Sequence, residues 1–429
     1  MPIQHDGTNR VQPPQPSPWI GFDGRSLILD EGTGVHVYGH GLAEAVRRLG
    51  YRREVLLDRP LAQDGSLPLY GTPPRGLGRM LRWSRALSPF GRPAGIAVGP
   101  VGRTGFERIR RATDIFRVSQ VHFDIYRRPL GLFDRTPPAV MHWSSPVPIV
   151  LKGALNVYTI HDLIPQTAPE LASGAQSRHR AIIKAVLAVA DHVITVSETS
   201  RRAVIEEFGF PADRITNTYQ PGRLDVSDLA TLDRAGLPDL KRRGFFLSIG
   251  TIERRKNIGR LIEAYLASGT PAPLVLAGAE GFGAEAELKP ARGYRIGIDK
   301  AAGEGPGVLL LGYAPALKIQ ALLQNARALL FPSLAEGFGL PIVEAMAAGT
   351  PVMTSRGGAT GEVAGDAALL VDPCNVTEMA AAIASLEKDY PLWLSLADRG
   401  MRRARDFSVE RYTERLAALY GRLALPPPG

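Results

Sequence analysis

Residues 331–353 read FPSLAEGFGLPIVEAMAAGTPVM, and the fold turns on how they are read. The run that leads into them, ALLFPS at 328–333, is apolar enough for a parallel strand covered on both faces. Gly337 and Gly339 let the backbone turn and approach a partner closely. Pro341 suits the first turn of a helix, where a missing N–H costs nothing, and Gly349 with Pro351 ends it. Strand, glycine turn and helix make one unit of a doubly wound α/β sheet, whose ligands sit outside the carboxyl ends of the strands. The N–H groups around Phe338, Gly339 and Leu340 start the helix and favour an anion there. Glu336 stands beside that helix end, and Glu344 lies about one turn inside. A carboxylate accepts two donors well, and neighbouring hydroxyls of a sugar offer two. The pair therefore points to a ligand carrying both phosphate and sugar. The plainer alternative is two acids stabilised at a helix start by the macrodipole.

The same grammar runs through the second half of the chain. FFLSIGT (245–251), PLVLAG (273–278), VLLLGY (308–313), PVMTS (351–355) and AALLVDP (367–373) read as strands, with helical patterns between them. The first half repeats it. WIGFDGRSLIL (19–29), AVMHW (139–143), VYTIHDLIP (157–165), HVITVS (192–197) and RITNTY (214–219) read as strands, alternating with amphipathic helices. At 429 residues the chain exceeds one ordinary core. The expected layout is a disordered lead-in over 1–18, a first doubly wound domain over 19–221 and a linker over 222–243. A second such domain over 244–405 and a last helix over 406–425 complete it. With two sheets facing each other, the cleft between them is the expected site.

Two further segments carry chemistry at strand ends. In GTIERRKN, residues 250–257, Arg254, Arg255 and Lys256 follow a strand, and Asn257 is placed to cap the helix beyond it. Cations at a helix start oppose the macrodipole unless an anion lies between, so a diphosphate clamp is one reading and a solvated charge run the other. In YTIHDLIP, residues 158–165, His161 and Asp162 end an apolar strand, as a cleft group or as a structural pair. The glycine turn GTGVH at 32–36 is not a dinucleotide fingerprint.

Composition narrows the class. The single cysteine, Cys374, excludes an internal disulfide framework and paired-cysteine metal sites. With no long apolar run and no secretory signal, the expectation is a cytoplasmic protein. The net charge of +9 is uneven: residues 1–219 carry 27 Lys and Arg against 19 Asp and Glu, residues 220–429 carry 24 against 23. A basic first half suggests an anionic partner. Residues 75–87, with Arg75, Arg79, Arg82 and Arg85 among apolar positions, read as a basic amphipathic helix for an anionic membrane face, or as a solvated helix. Nucleic acid is the weakest partner, for lack of interleaved aromatics or a known module.

Together these segments resemble the retaining GT-B glycosyltransferases of family 4, over about residues 19–425. SLAEGFGLPIVEAMAAGTPVMTS matches that family's EX7E motif, with Glu336 and Glu344 at the required separation. GTIERRKNIGRLIEAY resembles its diphosphate segment, YTIHDLIP its first-domain histidine segment, and GEVAGDAALLVDP (361–373) its late segment. NTYQPG (217–222) stands where many members have an Asn-Gly-Val hinge, and FSVE (407–410) departs from the aromatic often found before the last helix. The resemblance implies two Rossmann-like domains across a cleft, with the C-terminal helix crossing back to the first. It implies that Glu344 holds the donor ribose, Glu336 contacts the donor sugar, and Phe338 and Gly339 offer N–H groups. Arg255 and Lys256 would bind the diphosphate, and His161 would contact the transferring sugar. Gly34, Gly250, Gly337, Leu340 and Tyr313 would complete the donor site, with Tyr313 near the base. No metal or other cofactor is required. The donor is a nucleotide diphosphate sugar, GDP-mannose by likeness of the HDLIP and RRKN variants to mannosyltransferases. The acceptor is a glycan or a polyprenyl-diphosphate-linked glycan in cell-surface polysaccharide biosynthesis, at the inner membrane face. Alternatives are a nucleotide-sugar 2-epimerase of the same architecture and a non-catalytic sugar-nucleotide-binding protein.

Overall fold

The computed structural model describes residues 17–28, 34–59, 86–87, 92–93, 95–96, 105–171, 176–222, 236–237, 240–296 and 307–428. Nearly all of the expected lead-in, most of the linker and nearly all of the basic segment 75–87 lie outside the described residues.

Two parallel sheets organise the chain. In the first, the strands run Ile215–Asn217, His192–Thr195, Leu155–Ile160, Val140–Trp143, Trp19–Asp23, Arg52–Leu57, Arg108–Arg111 and Gly95–Ile96. Only the last pair is antiparallel. In the second they run Arg295–Ile296, Val308–Gly312, Leu274–Ala277, Phe246–Ile249, Ala328–Phe331, Val352–Ser355 and Leu369–Val371, all parallel. The central strands are wholly buried, as in Val140–Trp143 and Ala328–Phe331, because helices cover both faces. A small third sheet joins Arg92–Pro93, Leu130–Phe133 and Ile149–Leu151.

Both sheets reverse their winding direction at one place. In the first, the reversal lies between Trp19–Asp23 and Val140–Trp143; in the second, between Phe246–Ile249 and Ala328–Phe331. Such switch points open a crevice at the carboxyl ends of the two central strands, since their following segments leave to opposite faces. The loops that leave these strands therefore line the crevices: 23–24 and 144–148 in the first domain, 250–257 and 332–339 in the second.

The first strand is shorter than WIGFDGRSLIL suggested. It stops at Asp23, and Arg25–Ile28 forms a helical turn, because the Asp23 carboxylate accepts from the Arg25 N–H at 3.1 Å and bends the chain. Asn257 also differs from expectation. It is left-handed, at φ +61°, and makes no side-chain cap. Its amide instead donates to the carbonyls of Pro332 (3.1 Å) and Pro373 (2.7 Å), tying three strand-end loops together.

The C-terminal helix Val409–Arg422 packs on helix Gly34–Arg48 of the first domain. Tyr412, Leu416, Leu419 and Tyr420 are buried, and the Tyr420 hydroxyl bonds His142 Nε2 at 2.8 Å. Phe407, just before this helix, stacks edge-on against Tyr219 and Phe338, so an aromatic cluster fills the seam between the domains.

Buried histidines make this joint sensitive to acid. Burial lowers His142 from 6.5 to about 3, and burial, with Arg422 and Arg214, lowers His192 to about 4. Below about pH 6.5 the unfolded chain takes up protons that the folded chain refuses, so stability falls as pH drops toward these values, by at most about 1.4 kcal/mol per pH unit for each group. Asp23 and Glu54, raised by burial, act in the opposite sense. A comparison isolates the histidine: urea unfolding at pH 7.5 and 5 should show a smaller acid loss in His142→Phe than in wild type. Equal losses in the two proteins would remove this account.

Candidate active site

The second domain's crevice is built by three charged side chains. Arg255 and Lys256 lie in a 3-10 turn, Arg254–Lys256, after strand Phe246–Ile249. Glu336 lies in the loop after strand Ala328–Phe331. Arg255 Nη1 meets Glu336 Oε2 at 2.6 Å, and Lys256 Nζ meets Oε1 at 2.6 Å. The two loops are further pinned by the Leu334 N–H donating to the Arg255 carbonyl at 2.8 Å and by Arg255 Nη1 donating to the Ala335 carbonyl at 3.1 Å. Glu253, not singled out from the sequence, takes Arg255 Nη2 at 2.7 Å. All three groups are largely but not wholly covered, at 21, 12 and 11% side-chain exposure for Arg255, Lys256 and Glu336. Burial works to raise the Glu336 carboxyl, but Lys256 and then Arg255 outweigh it and hold it below the ordinary glutamate value. Arg254 does not join this cluster; it is exposed.

Glycines set how closely these groups meet. Gly250 has φ +129°, and a Cβ there would lie 3.0 Å from Lys256 Cε. Gly339 is left-handed at φ +99° and opens helix Leu340–Ala347, with Pro341 in its first turn. Glu344 sits one turn along that helix and is partly exposed. The Phe338 ring is 4% exposed and belongs to the seam cluster with Phe407. Tyr313, after strand Val308–Gly312, is 65% exposed.

The first domain brings His161 to the same place. An ideal Cβ at Gly337 would lie 2.4 Å from the His161 carbonyl oxygen, so the glycine loop of one domain rests directly on the histidine loop of the other. Ser200 Oγ donates to that carbonyl at 2.8 Å. His161 Nε2 bonds the Ser144 carbonyl at 2.8 Å, and the ring meets Tyr38 edge-on at 5.0 Å. Burial lowers the His161 pKa, against the pull of the Ser144 carbonyl, Asp162 and Asp23. Gly34 opens helix Gly34–Arg48, with nothing within 4 Å of a Cβ placed there.

A second interdomain contact was missed from the sequence. Glu362, on helix Gly358–Ala364, accepts from the N–H groups of Glu198 (2.6 Å) and Thr199 (2.8 Å) and from the Thr199 hydroxyl (2.7 Å). A carboxylate of one domain thus accepts the first N–H groups of helix Glu198–Phe208 of the other, beside that helix's own cap Ser197. No local signal reveals this, because Glu362 sits within GEVAGD like any surface helix acid. Among the described residues, no group of three or more His, Cys, Asp and Glu side chains is placed to hold a metal ion.

The cation–carboxylate cluster of the second domain thus lies in loops that meet the His161 loop of the first. The model of Glycosyltransferase Family 4 matches residues 32–219, and that of Glycosyl transferases group 1 matches residues 231–404. An O-antigen chain mannosyltransferase B of Escherichia coli is 34% identical over 276 residues, 62% of this chain and 69% of that one.

This chain belongs to glycosyltransferase family 4.

A second relative, the MMP alpha-(1->4)-mannosyltransferase of Mycolicibacterium hassiacum, is 44% identical over 108 residues, 24% of this chain and 26% of its own. The sucrose-phosphate synthase of Thermosynechococcus elongatus superposes with a TM-score of 0.62 at 21% identity, covering 95% of this chain and 99% of its own, which establishes the GT-B fold. The protein is therefore a GT-B glycosyltransferase.

Proposed function

We propose that this transferase moves mannose from GDP-mannose, with retention at the anomeric carbon, to a glycan or polyprenyl-diphosphate-linked acceptor. One observation carries the reading: Arg255 and Lys256 converge on Glu336 at the second switch point, in the loop whose Gly337 rests on His161. In this reading the two cations and the N–H groups at Phe338, Gly339 and Leu340 receive the donor diphosphate. As the bond between sugar and phosphate breaks, negative charge builds on the leaving group, and these preorganised positive groups stabilise it without rearranging. Glu344 takes the ribose hydroxyls and Glu336 the sugar. Gly250 lets the backbone come close, Gly34 admits donor and acceptor, and Tyr313 borders the base. His161 contacts the transferring sugar as a neutral ring. The acceptor oxygen bonds the anomeric carbon on the face that the phosphate leaves, and its proton passes to the leaving phosphate oxygen, so configuration is kept.

Mannose is supported by the two relatives named above, both mannosyltransferases. No observation favours the epimerase alternative. A thermal-shift panel tests the donor: GDP-mannose should raise the melting temperature most, and a larger shift with UDP-glucose would overturn the choice. The anomeric configuration of the product tests retention. The uneven charge, 27 basic against 19 acidic residues over 1–219, supports a cytoplasmic protein resting on the inner membrane face. Salt-sensitive flotation with anionic vesicles is the expected result, and no flotation at low salt counts against it.

A further inference from the structure

The first domain's switch point holds a carboxylate with no part in the scheme above. Asp23 ends strand Trp19–Asp23 and is 1% exposed, so it cannot itself reach a substrate. Its main partner is one residue at the neighbouring central strand's exit, Ser144. The Ser144 N–H donates to Asp23 Oδ2, and the Ser144 hydroxyl lies 2.8 Å from Oδ2 and 3.0 Å from Oδ1. The Arg25 N–H adds a third donor. Ser144 in turn offers its carbonyl to His161 Nε2 at 2.8 Å. Asp23, Ser144 and His161, at the exits of three adjacent strands, Trp19–Asp23, Val140–Trp143 and Leu155–Ile160, are thus linked in series through residue 144.

The direction of each bond follows from chemistry. A carbonyl only accepts, so Nε2 must carry the proton. A partly buried ring held neutral then has no proton on Nδ1, which becomes the ring's acceptor. The carbonyl keeps this aim while residue 144 is held, and Asp23 holds it from two sides, at its N–H in the preceding peptide and at its hydroxyl. Tyr38 closes the ring's other side, edge-on at 5.0 Å, with its own hydroxyl fixed on Thr159 Oγ1 at 2.7 Å. Burial pushes the Asp23 carboxyl upward, opposed by the Arg25 charge and by the Ser144 donors.

We infer that Asp23 is a positioning residue for sugar transfer: through Ser144 it holds His161 in the Nε2–H tautomer and keeps Nδ1 as an acceptor for a hydroxyl of the transferring sugar. The inference rests on the reading that His161 meets that sugar. The plainer alternative is that Asp23 only ends its strand and turns the chain into helix Arg25–Ile28.

The Asp23→Asn variant of the full chain separates the two. An amide nitrogen cannot accept, so the substituted side chain faces the two Ser144 donors with a single oxygen. With 15N-labelled histidine, and His161 assigned by its loss in His161→Asn, wild type should show one protonated and one unprotonated ring nitrogen. In Asp23→Asn these two resonances should move toward each other as tautomers mix. With GDP-mannose and acceptor, kcat should fall about 10- to 100-fold, the usual cost of losing a group that orients a working side chain, while donor KM stays within about threefold. Unchanged His161 resonances overturn the inference, and so do shifted resonances with kcat within about twofold of wild type. If Asp23→Asn does not fold, Ser144→Ala decides on the same criteria, since it deletes the hydroxyl donor and keeps the peptide N–H. The nitrogen spectrum needs no donor, so a failure of the transferase reading would appear as absent activity in wild type and leave the tautomer result standing.

Discussion

Replacing Arg255 and Lys256 together by alanine is expected to cut turnover about a thousandfold or more, since removing even one preorganised donor to developing charge costs about 10²–10³ in kcat. The expectation follows from how the two cations are held. They share one carboxylate, at 2.6 Å each, and Glu253 steadies the arginine from the side. Glu336 and Glu253 together balance the two cations, and in the proposed complex a diphosphate between the loops would take up their charge. The double variant leaves Glu336 covered and without these two partners, which itself destabilises the fold. A triple variant carrying Glu336→Gln removes that stray charge. It should recover most of the lost melting temperature while turnover stays low, which separates a chemical role from a structural one. Initial rates and circular-dichroism melts of the three proteins make the test. Turnover within tenfold of wild type in the double variant would remove the clamp.

Gly337→Ala should have the next largest effect, by a different route. Its methyl would meet the His161 carbonyl oxygen at 2.4 Å and Asp162 Cβ at 3.1 Å. The first of these is backbone and cannot swing aside, so the two loops must part. A misplacement of about 1 Å between reacting groups can cost about a hundredfold in rate. The expected result is a large fall in kcat with nucleotide diphosphate affinity changed only slightly, because Arg255, Lys256 and Glu344 all belong to the second domain. Glu362→Ala attacks the same closure elsewhere, by deleting three hydrogen bonds between the domains at the start of helix Glu198–Phe208. Both variants should expand the molecule in small-angle X-ray scattering relative to wild type. A wild-type scattering curve and wild-type kcat in Gly337→Ala would refute the importance of this contact.

Local pattern alone determined the class of fold and the segments that matter. Parallel strands under helices on both faces must be apolar throughout, and glycine and proline mark their exits, so ALLFPS, FFLSIG and VYTI announce themselves without any knowledge of their neighbours. For the same reason Arg255, Lys256, Glu336 and His161 could be picked out as polar groups at strand ends. Which partners they find depended on strand order. Arg255 and Glu336 meet because Phe246–Ile249 and Ala328–Phe331 lie side by side where the winding reverses, a property of the whole sheet and of no single window. Asp23 with Ser144, Asn257 with Pro332 and Pro373, and Glu362 with the start of helix Glu198–Phe208 are all of this kind. Their hydrogen bonds satisfy groups far away in the chain, and a buried polar atom takes its partner from whatever packing brings near. Sequence therefore named the charged and polar groups of the crevice, and tertiary structure alone supplied the buried supports that hold them in place.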